Sequence, residues 1–183
     1  MKKFIGAAAA CLILSGCASA SNPGAMAVAV TQQSLIDSQS SLSHAIAAPT
    51  VTGGKTTNPL WTSKVSDADF AEALRQSLAA NTMLATENAR FNLAAQLVQL
   101  KQPMMGLDMT VTATVKYTLT NTAGDVVWTK DIVSPYTAKM SDAFVGVKRL
   151  QLANEGAIKA NIEQLVTDLI AESKTNSQMA ALN

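Results

Sequence analysis

From residue 109 to residue 120 the chain alternates without a break. Met109, Val111, Ala113, Val115, Tyr117 and Leu119 fall on one side, and Thr110, Thr112, Thr114, Lys116, Thr118 and Thr120 on the other. A helix would scatter these residues around its circumference, whereas a strand sends successive side chains to opposite faces and sorts them. The segment is therefore predicted to be a strand in a sheet with one buried and one wet face. Phe91, Leu93, Ala95 and Leu97 show the same alternation, and that run ends in the breakers Pro103 and Gly106. Asn121, Thr122, Ala123 and Gly124 supply a turn tolerant of positive φ, so residues 125–133 return as the third strand of a meander.

On either side of these strands the period becomes helical. Ser66 is a good N-cap, Asp67 and Asp69 sit in a first turn where the helix dipole favours acids, and Phe70, Leu74 and Leu78 form one stripe with Ala71 and Ser77. The last helix is predicted over residues 141–173. Its inward stripe runs through Val147, Leu150, Ala153, Ala157, Ile158, Ile162, Leu165 and Leu169, with Lys148, Arg149, Lys159, Glu163 and Asp168 outside. Gly146 and Gly156 weaken it by up to ~1 kcal/mol each relative to alanine, so a break near Gly146 is expected, after a loop over residues 135–145. Residues 60–65 are predicted as a short strand feeding the first helix. The fold class is α+β: a two-layer sandwich in which a small antiparallel sheet, a three-stranded meander plus one N-terminal edge strand, is backed by two helices on one face.

This places the α+β domain at residues 59–175. Residues 17–58 are Ala, Ser, Thr, Gln and Gly with very few charges, and read as an N-terminal tether and low-complexity segment. Within it, residues 26–30 alternate weakly as an edge strand. Residues 33–47 form a short helix with Leu35, Ile36, Leu42 and Ile46 on one side, and the stretch with Pro49, Gly53, Gly54 and Pro59 marks the domain boundary. Residues 176–183 are a fraying tail.

At the start of the chain Lys2 and Lys3 precede an apolar run over residues 4–14, followed by Leu14, Ser15, Gly16 and Cys17. This resembles the bacterial lipoprotein signal, with the lipobox matched at every position. The resemblance implies that residues 1–16 are removed as a signal peptide and that Cys17 carries acyl chains of the palmitate kind. Each buried methylene then adds roughly 0.8 kcal/mol, and the membrane is a partner through the N-terminal lipid. Ala18, where an aspartate would retain the protein at the inner membrane, implies an outer-membrane, lipid-anchored protein on the periplasmic face of a Gram-negative envelope. The apolar run is shorter than the ~20 residues that span a bilayer.

Loss of Cys11 with the signal and use of Cys17 for lipid leave no thiol for a disulfide or metal site. With Lys2 and Lys3 gone, 12 basic side chains face 13 acidic ones, a balance that offers no field for nucleic acid. The only histidine, His44, has no carboxylate or cysteine nearby in sequence, and no Gly-x-Ser-x-Gly, Ser-x-x-Lys or phosphate-loop spacing is present. Asp67 with Asp69, at a helix start, and Asp125 with Asp131, flanking a strand, are the nearest acidic pairs, and capping explains the first. No enzyme, cofactor or metal is expected. Phe70, Phe91 and Tyr117 fall on buried faces, whereas Trp128, Tyr136 and Phe144 lie on the last strand and the loop into the final helix. They are either core or a patch that binds a lipid, peptide or protein.

The lipobox, the spacing of Phe70, Leu74 and Leu78, the Thr/Val-rich hairpin and a closing helix with Asn161, Ile162, Leu165 and Leu169 resemble small envelope lipoproteins of the YajG type. LptE and the auxiliary lipoproteins of ABC-type lipid transporters have a similar architecture, but the chain lacks a basic cluster for lipid A phosphates. The resemblance implies a non-enzymatic, membrane-anchored protein that binds a protein or apolar ligand in envelope assembly or maintenance. The alternative is an auxiliary subunit of a lipid or polysaccharide transport system, and a cell-wall hydrolase ranks third.

Overall fold

The computed structural model describes residues 19–30, 38–58 and 63–175. The signal, Cys17, residues 33–37 of the expected short helix, residues 60–62 of the expected feeder strand and the tail lie outside the described residues.

Helix α1 (Pro23–Met26) is followed by β1 (Thr50–Thr52), α2 (Asp67–Ala80), β2 (Phe91–Lys101), β3 (Met109–Asn121), β4 (Val126–Ala138) and α3 (Gly146–Thr175). One open sheet has the order β1-β2-β3-β4, antiparallel across the meander and parallel between β1 and β2. The alternation of β3 is realised: Val111, Ala113, Val115, Tyr117 and Leu119 are buried under the helices, and the threonines line the open face. α3 lies over β3 and β4, and α2 beside β1. Ser66 caps α2, its hydroxyl oxygen accepting from Asp69 N at 3.1 Å. Gly124 takes φ +92 in the β3–β4 turn.

The N-terminal edge strand is Thr50–Thr52. Ser63, Lys64 and Val65 are not in a strand. β1 pairs with Ala94, Ala95 and Gln96 inside the stretch that its proline and glycines had marked as a boundary. The other corrections share one cause, burial of short apolar groups that a helix or strand pattern does not require. Residues 26–30 are no edge strand: Asn22 caps a single helical turn, Pro23 occupies its first position, and Met26 and Val28 are buried. Residues 38–44 are turns and not helix, with Leu42, Ala45 and Ile46 in the core and Ile46 bridging to Leu84 and Phe91. The described part of the expected tether thus packs as part of the domain.

β4 runs on through Pro135 to Ala138, shortening the expected loop. A proline is tolerated there because β4 is the sheet's edge and its missing N–H has no neighbour to serve. α3 begins at Gly146, where the break was expected. Gly156 lies against the Tyr136 ring, in the space a β-carbon would take, which accounts for a glycine inside a thirty-residue helix.

Candidate functional site

The 102–108 loop between β2 and β3, the 139–145 loop between β4 and α3, and the first turn of α3 meet at one end of the sheet. Large apolar side chains cluster there in the open. Met104 is 99% exposed, Met105 89%, Phe144 86% and Leu107 74%, with Val145 and Met140 also exposed. They are six of the eleven exposed large hydrophobics among the described residues, so the apolar surface is concentrated and not scattered. Between the loops an open groove of about 660 Å³ is lined by Pro103, Met105, Met109, Val147, Leu150 and Arg149.

Polar residues fix these loops. Arg149, expected on the outside of α3, is buried. Its Nη1 donates to the carbonyls of Ala143 and Phe144, and its Nη2 to that of Gly106 at 3.3 Å. One guanidinium therefore ties both loops, satisfying carbonyls that irregular backbone leaves without sheet partners. Asp108 accepts from Met140 N at 3.0 Å, and Asp142 accepts from Lys139 N at 2.8 Å. A β-carbon on Gly106 would stand 2.6 Å from the carbonyl oxygen of Asp108, so the tight turn that presents Met104, Met105 and Leu107 requires glycine.

The N-terminal residues are held at the same end. Ser63 Oγ donates to Ser19 O at 3.0 Å, and Gln151 Nε2 to Ala20 O at 2.9 Å. Ser21 Oγ donates to Lys64 O at 3.1 Å, and Asn22 N to Glu155 Oε1 at 2.8 Å. Gln102, immediately before Pro103, donates through Nε2 to Ser63 O at 2.9 Å and Asn154 Oδ1 at 2.8 Å. Gln151, Asn154 and Glu155 are buried, so α3 carries a polar clamp on a face that a hydrophobic stripe would have left to solvent.

The aromatic patch expected from sequence is not brought together. Trp128 is 8% exposed and stands opposite Leu119 in the core. Tyr136 lies eight residues along β4, about 26 Å at the strand rise, with its ring on Gly156 and 42% exposed. Only Phe144 reaches the loop end. Its neighbours Met104, Met105 and Leu107 were hidden in sequence by Pro103 and Gly106, which mark a turn and say nothing of what the turn displays.

Three of the four carboxylates in the acidic pairs have structural partners. Asp67 Oδ1 accepts from Gly54 N at 2.7 Å, Asp69 Oδ2 from Ser66 Oγ at 2.6 Å, and Asp125 closes the β3–β4 turn with Asn121. His44 is exposed in a turn. Among the described residues no three His, Cys, Asp or Glu side chains are grouped to hold a metal ion, and no helix is long and apolar enough to cross a membrane.

No family model and no curated protein matches the chain. Solved structures do. A Xanthomonas campestris protein of the DUF330 family aligns over 91% of this chain and 100% of its own, with TM-score 0.59 at 12% identity. A protein from Caulobacter crescentus described as a candidate lipoprotein aligns over 73% of this chain and 92% of its own, with TM-score 0.51 at 15% identity. At these identities the likeness establishes a shared fold.

Proposed function

We propose that this protein is a non-enzymatic lipoprotein of the bacterial envelope, anchored to the outer membrane through acylated Cys17. Its apolar loop end is the surface that binds a protein or apolar ligand in envelope assembly or maintenance. The observation that carries this reading is the meeting, at one end of the sheet, of exposed Met104, Met105, Leu107 and Phe144 with the bound N-terminal residues two positions after Cys17. A soluble domain gains nothing from holding that much apolar surface in water, so the surface is built to be covered. The lipobox, the YajG-type resemblance and the fold shared with the candidate lipoprotein of Caulobacter crescentus support the anchor.

Metabolic labelling with a clickable fatty acid tests it. The wild type is expected to incorporate label and to sediment with outer-membrane porins, and Cys17→Ser to accumulate as unlabelled precursor. Label on the Cys17→Ser protein would overturn the anchor. Recovery of the wild type with inner-membrane markers would favour the transport-subunit alternative.

A further inference from the structure

We propose that the loop end is a bilayer-docking face: Met104, Met105, Leu107, Phe144 and Val145 enter the headgroup zone of the phospholipid leaflet that holds the Cys17 lipid. The inference rests on the anchor reading above and names what covers the apolar end.

Chain length fixes the geometry. Cys17 precedes Ser19 by two residues, a span limited to about 7 Å of extended backbone. Ser19 is bound by Ser63, and Ser63 by Gln102, which leads directly into Pro103 and Met104. A headgroup zone is about 5–8 Å deep on each side of the hydrocarbon core. An acyl chain on Cys17 therefore leaves no slack for a protein partner between this end of the domain and the lipid surface.

Chemistry agrees with that placement. The most exposed large apolar side chains are two methionines, a phenylalanine and a leucine, suited to an interface where apolar tips meet acyl chains. Lys101, Lys139 and Lys148 are exposed where β2 ends, where the second loop begins and in the first turn of α3, and can meet lipid phosphates. Asp108 and Asp142 are engaged by backbone N–H groups within the loops. Arg149 and Gly106 hold both loops in shape, so insertion requires no refolding.

The test uses the full-length protein, purified from membranes and reconstituted in vesicles of phosphatidylethanolamine and phosphatidylglycerol. Met105→Cys, Phe144→Cys and, at the opposite end, Ala123→Cys are labelled with an environment-sensitive fluorophore. Spin-labelled lipid should quench positions 105 and 144 at least about twofold more strongly than position 123. Equal quenching at all three positions, or none, overturns the docking face. The mass of the N-terminal peptide from the same preparations reads Cys17 acylation separately. An acylated chain without selective quenching sinks docking and spares the anchor, and selective quenching of an unacylated chain does the reverse. All three substituted side chains are solvent-exposed, so folding is not at issue. Benzoylphenylalanine at position 144, photoactivated in cells, should give lipid adducts, and a dominant protein adduct would overturn the proposal in favour of a protein partner.

Discussion

The two halves of α3 bury different things. Beyond Ala157 the helix turns Ile158, Ile162, Leu165, Val166 and Leu169 onto the sheet, whereas before it Arg149, Gln151, Asn154 and Glu155 are buried almost as completely. The apolar half removes surface from water at roughly 25 cal/mol per Å², and its contribution is stability. The polar half gains little net free energy per hydrogen bond, about 0.5–1.5 kcal/mol, but it fixes backbone that has no ladder of its own. The lesson is a division of labour: leucine and isoleucine hold the domain folded, and amides and a guanidinium decide where its irregular segments lie.

The largest expected effect lies in the apolar half. Leu165→Ala should lower unfolding free energy by about 2–5 kcal/mol in urea titration through lost burial and the cavity left behind. A comparable loss for Gln151→Ala would break the comparison. Asn161 sits at the boundary, where Tyr117 Oη donates to its Oδ1 at 2.9 Å and its Nδ2 donates to Ile132 O and Ser134 Oγ. Asn161→Ala leaves a buried phenol unpaired and should cost about 1–3 kcal/mol by the same titration.

Burial also pushes the Tyr117 phenol above its ordinary value, so the folded protein keeps its proton where the unfolded chain releases it. The stabilisation is fully present below pH 10, the ordinary phenol value, and falls as pH rises beyond it. The loss is at most about 1.4 kcal/mol per pH unit. Melting temperature followed from pH 9 to 11 should show this fall, and Tyr117→Phe should flatten it. The smallest global effect belongs to the polar half. Arg149→Gln should change the unfolding free energy by no more than about 1 kcal/mol, yet speed hydrogen exchange across residues 139–145. If exchange there is unchanged, the guanidinium does not tie the loops.

The same division explains what could be read from sequence. The meander, α2, the body of α3 and the buried face of β3 follow from periodicity, because apolar burial repeats with the element that carries it, and the start of α3 near Gly146 follows from the poor helix propensity of glycine. β1 is three residues long, too short to show a period, and its parallel partner lies forty-four positions away. Arg149, Gln151, Asn154 and Glu155 have the composition of a solvated helix face, so nothing local distinguishes a clamp from a surface. Of the expected patch, Phe144 reached the candidate site. Trp128 is core because it stands opposite the buried Leu119, and Tyr136 is occupied by Gly156.

The cluster of Asn161 with Tyr117 and Ser134 has one more consequence. Aliphatic contacts on a long helix tolerate sliding, since a displacement of one turn, about 5.4 Å, sets one branched side chain where another had been. An amide that reaches three fixed partners does not. Asn161 works as an indexing pin: it stops α3 from creeping along the sheet, and so holds the helix start, with the two loops and the N-terminal residues bound to it, at a constant height above the end of β2.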